Sequence, residues 1–283
     1  MMNLNADEHM SFGESKLLEV LSEGAPPKRP NALQAVAAFT WRAVKGTLSQ
    51  LPYMAIDVLI FPVIFLLIFT FMFGGAISGS TGNYLQFLLP GMLVYTVTTM
   101  TVYIGIGIKT DIDRGVFNRF RTLPFWQPAA IIGTMLVNLL TYAAALVTTV
   151  VFGMVLGFRP EGGLIGAVLA LLLVVMYAFS VSWIFAWIGV VAKKLESITS
   201  MTYIVLYPLM FTSNVFADTS TMPDWLGGIV ACNPISLAAT AARGLMHGTA
   251  GQADLLPAFA GMALFILVFA PLTFRQYRRK AFE

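Results

Sequence analysis

Fifty-one consecutive residues without one charged side chain, between Asp57 and Lys109, constrain this chain more than any other feature. A helix facing water does not avoid charge for that long. A helix crossing a hydrocarbon core of about 30 Å does, since it needs roughly 20 apolar residues at about 1.5 Å each. The turn-rich stretch Gly74 to Tyr84 (GGAISGSTGNY) interrupts the run, which reads as two spans joined by a short hairpin. Residues 122–158 and 162–192 are also charge-free, separated only by Arg159, Pro160 and Glu161, and give spans three and four. Uncharged runs at 197–217 and 255–274 are each just long enough to cross and give spans five and six. With 58% hydrophobic and 11% charged residues, the chain has about half the usual charged share and too few charges for a soluble surface.

The predicted fold is an all-α polytopic membrane protein of six transmembrane helices, at about 54–74, 85–108, 128–156, 163–191, 200–217 and 255–274. Residues 225–242 (WLGGIVACNPISLAATAA) are long enough to be a seventh. Gly227, Gly228 and the central Asn233-Pro234 argue against it, because proline removes a backbone donor and disfavours helix at the residue before it. A seventh span would also put the C-terminal RQYRRK on the opposite side from the basic N-terminal segment. The segment is therefore expected to form a re-entrant or interfacial helical hairpin on the outer side, between spans five and six.

Charge distribution sets the expected orientation. Fifteen of the 17 Lys and Arg residues fall in the N-terminal segment, the two loops at 109–121 and 193–194, and the tail; Arg159 and Arg243 are the exceptions. Basic residues stay on the cytoplasmic side, so both termini are expected inside a plasma-membrane protein. A pI near 9.0 then reports topology and anionic headgroups rather than nucleic acid. Residues 1–30 form a polar tail with five acidic residues and no apolar core, unlike a cleavable export sequence. Over 31–52, Leu33, Val36, Ala37, Trp41, Val44 and Leu48 recur at helical spacing with Arg42 and Lys45 on another face. That pattern predicts a basic amphipathic helix along the inner membrane surface, with a soluble linker helix as the alternative. The six-span domain covers 53–274 and a basic tail 275–283.

The candidate chemistry is defined largely by what is missing. Asp57 is the one acid or base inside the proposed spans, about a turn from the interface. A carrier driven by protons or sodium needs titratable groups near the midplane. His9 and His247 are outside the spans and far apart, so no metal ligand set is expected. The single cysteine, Cys232, permits no internal disulfide and reads as a small packed residue. No G-x-x-x-x-G-K-[ST] loop is present, so ATP would have to be hydrolysed by another chain.

The most informative polar segment is Lys109 to Gln127 (KTDIDRGVFNRFRTLPFWQ). Ile112, Val116, Phe117 and Phe120 share a helical face before Pro124, with arginines flanking. This suits a short helix docking into a groove of a soluble partner, or equally a membrane-surface loop that holds topology. Here Asp113-Arg114-Gly115, followed by Arg119, Arg121 and Pro124, resembles the acidic-Arg-Gly, basic, proline signature after the second span of ABC-2 type permeases. Those permeases are the membrane subunits of one class of ABC exporters. Downstream, Phe211 to Phe216, then Pro223-Asp224-Trp225, Asn233-Pro234 and Arg243-Gly244-Leu245 are similar to the family's fifth span, outer hairpin and post-hairpin arginine. Within the family, the chain looks most like the daunorubicin-resistance type of drug and lipid exporter permease.

The resemblance implies two permease subunits, identical or paralogous, paired with two cytoplasmic ABC ATP-binding subunits that carry ATP and Mg, with no cofactor in this chain. It makes Asp113, Arg114, Gly115, Phe117, Arg119, Phe120, Arg121 and Pro124 the ATPase-coupling residues. It makes Pro223, Trp225, Asn233, Pro234 and Arg243 the outer hairpin. It also implies a cargo route lined by spans two and five, with Tyr95, Thr98, Thr99, Tyr103, Tyr203, Tyr207, Ser213 and Asn214 as lining groups. Uncharged hydroxyls and aromatics suit an amphiphilic, lipid-like or planar aromatic cargo; the same groups also serve as interhelical hydrogen-bonding residues in many membrane proteins. A lipid-linked polysaccharide exporter and a non-transporting membrane scaffold are the alternative functions. Pro62 is expected to kink span one, Trp183 and Trp187 to anchor span four, and Gly153 with Gly157 to let helices approach closely.

Overall fold

A computed structural model describes residues 31–56, 60–114 and 129–280, and every regular element in them is helical. The long uncharged runs become helices because a backbone in hydrocarbon must satisfy its own polar groups. Among the described residues, five helical segments are long and apolar enough to cross a membrane: Phe61–Ser78, Thr81–Asp113, Ile131–Val155, Gly163–Val191 and Gln252–Arg279. In chain order the elements are α1 (Ala32–Ala55), α2 (Phe61–Ile68), a π turn (Phe69–Phe73), α3 (Gly74–Ser78), α4 (Thr81–Met100), α5 (Val102–Asp113), α6 (Ala129–Val155) and α7 (Gly163–Val191). Then follow α8 (Leu195–Phe211), a single 3-10 turn (Thr219–Thr221), α9 (Asp224–Cys232), α10 (Pro234–His247) and α11 (Gln252–Lys280).

Three expectations change in detail. The first span is interrupted at the π turn rather than at Pro62, which sits in the first turn of α2, where its missing N–H costs little. The fifth span ends at Phe211, six residues before its uncharged run does, because Thr212, Ser213 and Asn214 favour turns and residues 212–217 leave the helix. Its 17 residues reach only about 26 Å. Of the two glycines in α6 and its following turn, Gly153 faces the side chain of Leu89, whereas Gly157 supplies a backbone φ of 107°.

The core is centred on α4, whose Leu85, Leu88, Leu89, Met92, Leu93, Val94 and Val97 are all buried. Helices α5 and α7 cross closely: a methyl group at Gly189 would come within 2.5 Å of the Gly105 carbonyl oxygen. Trp183 and Trp187 pack edge-on against Phe274 and Phe269 of α11. Outward faces carry Leu164, Leu169, Leu172, Leu264 and Leu267, all exposed in the isolated chain, as lipid-facing residues are.

Helix α1 packs on α6 with Ala35 buried and the backbone at Phe39 and Thr40 close against Gly133. Leu33 and Trp41 are left exposed on the other side, with the Lys45 ammonium over the Trp41 ring. Arg42 pairs with Asp111 at 3.3 Å, and Lys109, itself buried, pairs with Asp113 at 2.6 Å. These charges gather at one end of the molecule, here called the basic end.

Candidate functional site

A cavity of about 310 Å³ opens between α2, the α4–α5 helix and α8, in the half nearer the basic end. Aromatic rings and hydroxyls from all three line it. Phe61 and Phe65 contribute from α2, Tyr95, Thr99 and Tyr103 from α4–α5, and Thr199, Tyr203 and Tyr207 from α8. None of the described residues that line it is charged. Tyr203 and Tyr207 are four residues apart, so they share a helix face, and their rings stack 5.0 Å apart and nearly parallel. Both are more than two-fifths exposed, and the pair forms a flat wall beside the opening.

Five of the eight lining groups read from the sequence, Tyr95, Thr99, Tyr103, Tyr203 and Tyr207, therefore sit together. Thr98, Ser213 and Asn214 do not line this cavity. The Thr98 hydroxyl is buried, donates to the Val94 carbonyl at 2.6 Å and lies 3.4 Å from the Tyr177 hydroxyl. Thr96, Thr99 and Thr101 bond back into their own helix in the same way, around Thr101, where α4 passes into α5. Span one was not read as part of the site; Phe61 and Phe65, four residues apart, were the available signal.

Away from the basic end, two of the lining rings, Phe65 and Tyr95, join an aromatic cluster that continues beyond the cavity. Phe65 meets Tyr95 at 5.8 Å, Tyr95 meets Phe216 edge-on at 5.6 Å, and Phe216 stacks on Phe69 at 4.6 Å. The π turn holds Phe69 against Phe216, which lies on the non-helical segment after α8.

That segment is held by α10. The helix pair α9–α10 bends by 82° at Asn233-Pro234: Asn233 is extended, Pro234 opens α10, and the Asn233 side chain accepts from the Ile235 N–H at 2.9 Å. From there Asn233, Ser236, Thr240, Arg243 and His247 recur at intervals of three and four, on one face. Asn233 Nδ2 donates to the carbonyls of Leu209 and Thr212 at 2.7 and 3.0 Å, both left without helical partners where α8 ends. Ser236 accepts from the Asn214 N–H at 3.0 Å, and Thr240 from its side-chain amide at 2.8 Å. Arg243 bridges: Nε donates to the Phe87 carbonyl at 3.1 Å, one Nη donates to the Asn214 carbonyl at 3.2 Å, and the guanidinium lies 3.9 Å from the Phe87 ring centre. His247 Nε2 lies 3.1 Å from the Gln86 carbonyl, which has no helical donor because Pro90 lacks an N–H.

Ser236, Thr240 and His247 belong to this row and were missed in the sequence, although their spacing with Asn233 and Arg243 was readable. Of the other hairpin residues, Pro223 precedes α9 and Trp225 is exposed. In the adjoining turn, the Ser220 N–H at 2.8 Å and its hydroxyl hold the Asp218 carboxyl below the usual range. Among the expected coupling residues, Asp113 and Arg114 end α5, with Asp113 paired to Lys109. Gly115, Phe117, Arg119, Phe120, Arg121 and Pro124 lie outside the described residues, as does Asp57.

The chain matches the ABC-2 type transporter family over residues 34–247. It is 51% identical, over 94% of its own length and 93% of the relative's, to the daunorubicin resistance ABC transporter permease protein DrrB1 of Streptomyces coeruleorubidus. It is 24% identical, over 70% of each chain, to the doxorubicin resistance ABC transporter permease protein DrrB of Mycobacterium tuberculosis.

Proposed function

The chain belongs to the ABC-2 type transporter family, and from that membership we propose that it is the permease subunit of an ATP-driven exporter that moves a hydrophobic or amphiphilic drug out of the cell. The observation that carries the reading is the uncharged, aromatic and hydroxyl-lined cavity between spans one, two and five, in a chain half identical to a daunorubicin resistance permease. A space of about 310 Å³ between aromatic rings suits a planar amphiphile. The stacked Tyr203 and Tyr207 offer a face to a fused-ring cargo, and the hydroxyls of Tyr95 and Thr99 offer polar contacts along one edge.

Two copies of a cytoplasmic ATP-binding subunit, carrying ATP and Mg, complete the transporter with a second permease. The short helix predicted near 110–121 docks in the ATPase groove through Phe117 and Phe120, and Asp113, Arg114, Arg119 and Arg121 make polar contacts around it. Both termini are cytoplasmic, α1 lies along the inner membrane surface, and α9–α10 form a re-entrant hairpin on the outer side. ATP-driven closure of the two ATPases tilts the permease halves and exposes the cavity to the far side.

The test begins with affinity purification of the tagged chain from native membranes, where an ATP-binding subunit should be recovered in equal amount. The assembled transporter in proteoliposomes should move daunorubicin in an ATP-dependent manner, and replacing both Tyr203 and Tyr207 with Ala should weaken that transport. Recovery of the chain alone from several detergents, or drug transport indifferent to both tyrosines, would overturn the reading.

A further inference from the structure

Beyond the cavity stands a barrier of aromatic rings, and one of them, Phe216, is not part of any transmembrane helix. Phe216, whose ring stacks on Phe69 and meets Tyr95, belongs to the six residues 212–217 after α8. This segment is tied down from two sides. The buried Tyr84 hydroxyl donates to the Phe216 carbonyl at 2.9 Å, and α10 holds Asn214 through Ser236, Thr240 and Arg243. Arg243 joins the segment to span two through one donor on Asn214 and another on Phe87, beside the tie that Tyr84 makes from the same span.

We propose that residues 212–217 are the outer gate of the cavity and that Arg243 is the positioning residue that latches this gate shut against the second span. The proposal rests on the cavity being the cargo path. Three observations favour a latch over a fixed strut. First, the helix that carries the arginine is itself anchored: the Gly162 N–H donates to the Met246 carbonyl at 2.8 Å, and Gly166 lets α7 approach the Leu245 carbonyl closely. The segment can therefore move while α10 stays in place.

Second, an irregular segment can swing without unwinding α8, giving up a few side-chain bonds, one aromatic stack and the packing of Val215 on Gly91. Third, two buried polar atoms beside the barrier, Asn214 Oδ1 and Thr70 Oγ1, have no hydrogen-bond partner in the closed arrangement. Leaving such atoms unpaired disfavours the closed form, and orphans of this kind need an explanation. A gate that must open in each cycle supplies one. Arg243 offsets that deficit with charge-assisted bonds to two carbonyls, and loss of the guanidinium should shift the population toward the open form.

The experiment uses the permease with its ATP-binding subunit in membranes, in a Cys232→Ser background that removes the single native thiol. Thr99→Cys places a reporter in the cavity, and a charged, membrane-impermeant maleimide is applied from outside to whole cells or from inside to inverted vesicles. Without nucleotide, Arg243→Ala should raise labelling from outside by about tenfold or more, the shift expected for two lost bonds to a charged donor. Labelling from inside should stay unchanged. Ser236→Ala, a milder change, should move outside labelling the same way but less.

Outside labelling that is the same with and without Arg243, in a chain still labelled from inside, would overturn the latch and leave the cavity reading standing. A rise from both sides in Arg243→Ala, with no rise in Ser236→Ala, would also overturn it by making the arginine a general fold determinant. A Thr99→Cys reporter that no reagent reaches from either side in any variant would remove the cavity as a cargo path, and the latch with it.

Discussion

Gly189→Ala adds one methyl group where α5 and α7 cross, and the structure fixes what that methyl meets. It would stand 2.5 Å from the Gly105 carbonyl oxygen and 2.8 Å from its Cα, where ordinary contact begins near 3.4 Å. Backbone atoms cannot rotate away as a side chain can, so the two helices must part locally by about 0.9 Å. A gap of that size forfeits a quarter to a half of the dispersion between facing atoms, and overpacking of this kind costs about 1–3 kcal/mol. Glycine to alanine in a helix otherwise stabilises, by about 1 kcal/mol. Gly107→Ala, two residues from Gly105 on the same helix and with nothing within 4 Å of the added carbon, is therefore the matched control with the opposite sign. The assay is the apparent melting temperature of the detergent-purified chain by scanning fluorimetry. At about 2–4 °C per kcal/mol, Gly189→Ala should fall by several degrees while Gly107→Ala holds or rises. Equal shifts for the two variants would refute the claim that the glycine pair sets the helix spacing.

Three further outcomes are expected. Asn233→Ala removes the donor to the Leu209 and Thr212 carbonyls and the cap of α10 together, and should lower stability by about 2–4 kcal/mol, read in the same melting assay. Arg42→Ala breaks a pair in which both side chains are at least two-fifths exposed, so it should cost under about 1 kcal/mol and leave the melting temperature nearly unchanged. Replacing Phe117 and Phe120 with Ala should separate ATP hydrolysis from drug efflux, and unchanged efflux in that double variant would count against the docking role.

The sequence by itself determined the class of fold and most of its helices. Uncharged runs bounded by Lys, Arg, Asp and Glu leave the backbone no option but helix, and Gly-rich or Pro-containing breaks divide them because those residues cannot continue one. It also pointed to five of the residues that line the cavity. Tyr95, Thr99, Tyr103, Tyr203 and Tyr207 were legible as polar aromatic and hydroxyl groups in otherwise apolar helices, and they do line one space. The polar row on α10 was legible in principle, since five hydrogen-bonding residues at intervals of three and four can only share a face.

What the row would bind was not legible, because its partners are backbone carbonyls freed by Pro90 and by the end of α8, and carbonyls leave no trace in residue identity. The same limit applies to Thr98, Ser213 and Asn214. Their hydroxyl and amide groups look like those of the cavity residues, but Thr98 turns toward its own helix backbone, and Ser213 and Asn214, past the end of α8, turn toward the backbone and α10. Nor did the size of Trp41 show which face of α1 packs: the backbone at Phe39 and Thr40 lies close against Gly133, and Trp41 is exposed. Composition and spacing fix which residues share a helix and a face. Only the packed arrangement of helices decides what each face meets, because that depends on distances between backbones that no local pattern encodes.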